Sequence, residues 1–168
     1  MNRELRVRPA TPADVHEIHD IVEPYATERI LLAKEWVTYY EAVPEFVVAV
    51  ERDTVIGCGA LHIMWSDLAE IRTLAVSPAY RRRGVGSALL GALLDRARAF
   101  GLRRVFCLTF EVDFFAAHGF QAIAGAPVAP DVYAELLRSH DDGVAEFLDL
   151  ARVKPNTLGN TRMLLALS

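Results

Sequence analysis

Apolar residues change their spacing repeatedly along this chain, and each spacing predicts an element. Residues 5–8 alternate apolar and charged positions as a short strand does. Thr11-Pro12-Ala13-Asp14 then reads as a helix start: Thr11 can cap free amides, Pro12 has its φ preset for a first turn, and Asp14 complements the dipole. Val15, Ile18, Ile21 and Val22 follow at the intervals of one helical face. A less regular helical stretch covers about 33–42. Residues 46–51 and 55–63 are β-rich runs on either side of an Arg52-Asp53 turn, which predicts a hairpin. Residues 70–76 form a third such run, stopped by Ser77-Pro78.

The period then switches. Residues 86–100 are strongly helical, with Leu89, Leu90, Leu93, Leu94 and Ala97 on one side and Gly101 at the C-terminal end. Residues 105–110 read as a strand, 114–118 as a short helix and 120–123 as a strand. Residues 131–150 look helical in two pieces, and 163–167 form a closing strand. Hairpin strands followed by strands alternating with helices predict an α/β architecture, a mixed central sheet flanked by helices. No linker or repeat interrupts the series, so the expectation is one domain over residues 1–168.

Composition narrows the function classes. The 168 residues carry 18 basic and 22 acidic side chains, a net charge of −4, which argues against nucleic acid as the main partner. Cys58 and Cys107 are too few for a disulfide framework and suit a reducing compartment. The N-terminal residues lack a signal-like apolar region, and no run approaches the ~20 apolar residues of a membrane span. A cytoplasmic chain with no membrane partner is expected, and no metal site is expected.

The sharpest local feature is Ser77-Pro78-Ala79-Tyr80-Arg81-Arg82-Arg83-Gly84-Val85-Gly86-Ser87, a basic, glycine-bearing loop between an apolar strand and an amphipathic helix. A helix start offers unpaired N–H groups and partial positive charge, which together bind phosphate. Gly84 and Gly86 remove Cβ atoms that would hold an anion off the backbone, and Arg81, Arg82 and Arg83 add charge. The spacing is not a dinucleotide fingerprint, Gly57-Cys58-Gly59 leads to no third glycine, and no Walker lysine is present.

Arg81-x-x-Gly84-x-Gly86, after a strand ending Leu74-Ala75-Val76, resembles the acetyl-CoA signature of the GNAT family of N-acetyltransferases. Phe115-Ala116-Ala117-His118-Gly119-Phe120 resembles that family's second landmark, near the thiol end of CoA. The resemblance covers nearly the whole chain and implies the GNAT fold, with acetyl-CoA as co-substrate. It implies cofactor contacts at Leu74, Ala75, Val76, Arg81, Arg82, Arg83, Gly84, Val85, Gly86, Ser87 and Phe115. Three further strings, Glu28 to Lys34, Cys58 to His62 and Leu158 to Leu165, resemble the amino-acid N-acetyltransferases, in particular the short N-acetylglutamate synthases. That likeness implies acetyl transfer to the α-amine of glutamate or glutamine through a tetrahedral intermediate, the first step of arginine synthesis. It also implies that the regulatory domain of longer synthases has no room in this chain.

Such a reaction needs a base, because an amino-acid amine is mostly protonated near pH 7. Glu70 stands where related enzymes place a glutamate base, and Arg72 shares its face of the strand, about 6.6 Å along. His62 is the reserve base, its ordinary pKa suiting the task. By resemblance, backbone N–H groups near Leu74, Ala75 and Val76 serve the thioester carbonyl. Many relatives carry a tyrosine as general acid where this chain has Phe115, which leaves the acid unidentified. A small acidic acceptor needs cationic partners, and Lys34, Arg72 and Arg162 form the candidate set, with Asn160 and Thr161 as polar contacts. Three alternatives stay open at this point: acetylation of protein N-termini or another small amine, a non-catalytic acyl-CoA sensor, and a nucleic-acid module resting on the arginine run. The oligomeric state is open too, and a homodimer is compatible with it.

Overall fold

A computed structural model describes residues 4–28, 30–31, 34–148 and 159–168. The elements run in order β1 (Leu5–Pro9), α1 (Val15–Thr27), α2 (Trp36–Glu41), β2 (Phe46–Glu51), β3 (Thr54–Trp65), β4 (Leu68–Val76) and α3 (Val85–Ala99). They continue with β5 (Arg104–Thr109), α4 (Val112–Ala117), β6 (Gln121–Ala122), α5 (Pro130–Leu136), α6 (Asp142–Phe147) and β7 (Thr161–Ala166). The strands form one seven-stranded sheet in the order β1-β2-β3-β4-β5-β7-β6. All neighbouring pairs are antiparallel except β4 and β5. The expected mixed α/β sheet is what the chain builds; the last part of the 131–150 stretch lies outside the described residues.

Alternation along β2 decides which layer packs where. Val47 and Ala49 face α3, together with Ile56, Ile71 and Val105. Phe46, Val48 and Val50 face α1, together with Val55, Cys58 and Ala60. Burial on both faces explains why β2 reads as a continuous apolar run rather than an alternating one. A third cluster joins Phe106 on β5 to Phe147, Val144 and Leu148 around α6. The rings of Phe106 and Phe147 meet edge to face, 4.8 Å apart.

Two local readings change on inspection. The helix start at Thr11 works in reverse: the Asp14 carboxylate accepts from Thr11 N at 2.7 Å and from Arg8, and a short 3-10 turn (Pro12–Asp14) precedes α1. Gly57 and Gly59, unhelpful as a nucleotide motif, are a packing groove for α3. A Cβ at either position would stand 2.9 Å from a leucine methyl, of Leu89 and Leu93 respectively.

The functional geometry comes from β4. It pairs with β5 only through Leu68, Ala69 and Glu70, opposite Arg104, Val105 and Phe106. Beyond Glu70 the two strands part, and residues 71–76 keep their partner on the β3 side alone. On that side Cys58 faces Ala75 and Ala60 faces Arg72, so Gly59 opposes both Thr73 and Leu74. This bulge puts Thr73 at φ +54°, an unusual conformation for a β-branched residue, at a cost of about 1–3 kcal/mol.

Candidate active site

The fork between β4 and β5 opens into a cleft of about 1120 Å³. Its floor is residues 70–76 of β4, one wall is the loop into α3 with Phe114 and Phe115 of α4, and the other includes Tyr25, Ile30, Leu31, Lys34, Thr38 and Phe46. Backbone amides and carbonyls on the β5 side of the parted strand have lost their sheet partners, so polar groups are available there to a ligand.

At one end lies the phosphate-type loop. Gly84 caps α3 in the left-handed conformation, φ +79°, and nothing lies within 4 Å of where its Cβ would be. The first turn of α3 is thus bare on the cleft side, with Gly86 and Ser87 also lining it. Arg82 has φ +61° and, like Arg81, is exposed along this rim. The Arg81 guanidinium donates to the Tyr25 hydroxyl at 2.5 and 3.1 Å, and that hydroxyl donates to Val76 O at 2.8 Å. Tyr25 therefore ties α1 to the loop and to the end of β4. Arg83 turns away from the cleft, pairing with Glu51 at 3.4 Å and lying over the Tyr80 ring. A helix start stripped of side chains and flanked by guanidinium groups fits a diphosphate such as that of CoA.

At the other end the charges are buried or half-buried. Glu70 is only 4% exposed, yet it borders the cleft where pairing with β5 stops. Its Oε2 accepts from Arg72 Nε at 3.2 Å, so the same-face spacing does produce a pair. Arg72 continues to Asp141, donating from Nη1 to Oδ2 at 3.0 Å, with Nη2 2.6 Å from Oδ1. Burial pushes the Glu70 carboxyl above the ordinary carboxylate range, although Arg72 pulls it back. Asp141 goes the other way: burial raises it, but the Arg72 guanidinium and the Val144 amide outweigh that and hold it at about 2. Lys34 lines the same cleft; burial and the neighbouring Arg72 lower its pKa, and no hydrogen bond to another described residue engages its ammonium. The geometry provides a buried carboxylate with raised proton affinity beside two cations, the setting of a general base.

Other expected residues fall elsewhere. The Arg162 guanidinium donates to the carbonyls of Gly125, Glu146 and Phe147 and lies over the Phe106 ring, so it braces α6 behind the cleft. Asn160 borders the cleft. His62 sits opposite Glu70 in the sheet, but its Nδ1 is 2.5 Å from Glu45 Oε1. Phe115 is buried, edge-on to both Phe114 and Phe120, and presents its ring to the cleft. Tyr133 donates its hydroxyl to Leu148 O at 3.3 Å, while Tyr80 borders the cleft. Tyr25, Asp141 and Gly143 were not anticipated. Nothing local marks them, because each acts on a residue more than 50 positions away in the chain. Among the described residues, no group of His, Cys, Asp and Glu is placed to hold a metal ion, and no helix is long and apolar enough to cross a membrane.

A bare helix start thus lies beside a forked sheet with a buried carboxylate in one cleft. Residues 14–123 match the acetyltransferase (GNAT) family. The chain is 57% identical over 164 residues to an amino-acid acetyltransferase of Mycobacterium tuberculosis, covering 96% of this chain and 94% of that protein. It is 37% identical over 119 residues to an amino-acid acetyltransferase of Azotobacter vinelandii, covering 69% of this chain but 27% of that longer protein. Among solved structures, a Mycobacterium tuberculosis protein crystallised in complex with CoA superposes with a TM-score of 0.94 at 56% identity, over 97% of this chain and 99% of that one. The N-acetylglutamate synthase of Neisseria gonorrhoeae, at 24% identity, shares the fold with a TM-score of 0.79 over 100% of this chain and 36% of its own. The chain belongs to the GNAT family of acetyltransferases, enzymes that use acetyl-CoA as co-substrate.

Proposed function

We propose that this chain is an amino-acid N-acetyltransferase that moves acetyl from acetyl-CoA to the α-amine of glutamate or glutamine, the first step of arginine synthesis, in the cytoplasm, with residues 1–168 acting as one catalytic domain. The observation that carries the reading is Glu70, a buried carboxylate with raised proton affinity that borders the cleft at the fork of the sheet. Likeness to the mycobacterial amino-acid acetyltransferase over nearly its whole length supports an amino acid as acceptor.

Acetyl-CoA supplies the acyl group as an activated thioester. The amides of Gly84, Val85, Gly86 and Ser87, with Arg81 and Arg82, hold its diphosphate, and residues 74–76 align its extended arm along the free edge of β4. Glu70 takes the proton from the acceptor ammonium, directly or through one water, and frees the nitrogen lone pair. The unpaired amides beyond the bulge face the oxygen on which negative charge develops. Lys34 meets an acceptor carboxylate; Arg72 would share one with Glu70 and Asp141, which already surround its guanidinium. The thiolate leaves without a tyrosine at position 115. Cys58 takes no part as nucleophile: it is buried and its thiol is pushed up to about 12.

The test is thiol release from acetyl-CoA with each free amino acid and with peptides. Turnover with glutamate or glutamine, none with peptides, and a loss of about 10²–10⁴ in kcat for Glu70→Gln is the expected result. Equal turnover of peptide N-termini moves the protein to the protein-acetylating class. CoA binding with no transfer to any amine makes it a sensor.

A further inference from the structure

The cluster around Glu70 has more structure than a base needs. Arg72 is 12% exposed along its side chain and lies between two carboxylates, Glu70 of its own strand and Asp141 at the start of α6. Asp141 does two things at once: Oδ1 accepts from Val144 N at 2.9 Å, closing the first turn of α6, and both oxygens face the Arg72 fork. Two residues later Gly143 is buried, and a Cβ there would stand 2.5 Å from Arg72 Cζ and Nη2. The guanidinium therefore occupies space that any other residue at 143 would need. The helix is held down by Val144, Phe147 and Leu148, which pack on Phe106, the β5 partner of Glu70.

We propose that Asp141 and Gly143 are positioning residues for Glu70: α6 locks Arg72 against the Glu70 carboxylate and thereby governs the base. The inference rests on Glu70 being that base. Buried carboxylates without a cation take up a proton and stop being bases. The groups that face Glu70 are Arg72 on β4, His62 on β3, Cys107 on β5, Asp141 on α6 and Lys34 ahead of α2. Of these only Arg72 hydrogen-bonds it among the described residues. His62 is held by Glu45, the Cys107 thiol is buried and neutral, and Lys34 keeps its ammonium toward the cleft. Control of Glu70 thus passes through Arg72, and control of Arg72 through α6.

Gly143→Ala is the discriminating variant, because it displaces Arg72 and leaves every charge in place. The expected result is CoA affinity unchanged, the acidic limb of the kcat/KM profile moved up by about one pH unit, and kcat/KM along that limb lower by up to about tenfold. A limb position does not depend on how much enzyme is folded, so partial misfolding cannot imitate it. Should Gly143→Ala yield no soluble protein, Asp141→Ala carries the test. Loss of the Asp141 charge alone would lower the Glu70 proton affinity, so an upward limb can come only from a loosened Arg72–Glu70 contact. A limb moved up, though less than in Gly143→Ala, with acceptor KM not lowered, is the expected result. An unmoved limb in the variant tested overturns the proposal, leaving Asp141 and Gly143 as structural residues. A lowered acceptor KM in Asp141→Ala also overturns it, since Asp141 would then be competing with the acceptor for Arg72. If Glu70→Gln keeps the wild-type acidic limb, the base assignment itself fails, an outcome separate from the other two.

Discussion

The two ends of one cleft are built on opposite principles. The end proposed for the diphosphate offers backbone amides, an empty glycine position and exposed guanidinium groups, all within residues 81–87. The end proposed for the acceptor uses buried and half-buried charges brought together from residues 34, 70, 72 and 141, on three stretches of chain. Exposed charge attracts a ligand and is screened by salt, and its strength is tolerant of small displacements. Buried charge is strong only while its partners stay in place, and losing one partner strands the others. The lesson is that the same electrostatics suits affinity at one end and, under the proposed function, proton transfer at the other, according to burial.

Substitutions that act on one end only sharpen that contrast. On CoA binding the largest effect is expected for Gly84→Asp, which puts a side chain and a negative charge where phosphate should sit. Calorimetric Kd for CoA should rise roughly 10- to 100-fold, about 1.4–2.8 kcal/mol. The acidic limb of the pH profile should stay where it is. Unchanged CoA affinity would break the division of labour outright.

A smaller effect separates neighbouring arginines. Arg81→Ala removes an exposed guanidinium and its tie to Tyr25, and CoA affinity should drop by roughly fivefold, about 1 kcal/mol. Arg83→Ala should leave CoA affinity within about twofold, since Arg83 faces Glu51, and lower stability by no more than ~1 kcal/mol. Equal effects of the two on CoA binding would show that the arginine run acts as a diffuse charge rather than by direction.

The last contrast is read in stability. Folding lowers the Asp141 pKa from near 3.8 to about 2, so its charge stabilises the folded protein fully above about pH 4. That stabilisation is lost as pH falls from about 4 towards 2. Asp141→Asn should therefore melt lower than wild type at pH 6, with the two melting temperatures converging as the buffer approaches pH 2. A pH-independent gap between the melting curves would mean that the Arg72 contact contributes nothing through charge.

These contrasts also explain what could be read in advance. The loop was legible because phosphate binding at a helix start is a local property: strand, glycines and helix follow one another within a dozen residues. Even so, sequence treated Arg81, Arg82 and Arg83 alike, while the fold turns Arg83 to Glu51 and ties Arg81 to Tyr25. The Glu70–Arg72 pair was legible from the two-residue repeat of a strand. Its third member was not, because Asp141 lies 69 positions from Arg72 and looks like any acidic residue before a short helix. Arg162 shows the converse: a cation in a suggestive string is spent on carbonyls that support α6.

Periodicity and glycine placement by themselves determined the element order and the basic, glycine-bearing loop ahead of α3, since each depends on residues a few positions apart. Only the tertiary structure decided where β4 leaves β5, which places Glu70 at the fork, and which cation is consumed by which carboxylate. The physical reason is that a buried charge takes its proton affinity from neighbours in space, and only chain folding chooses them.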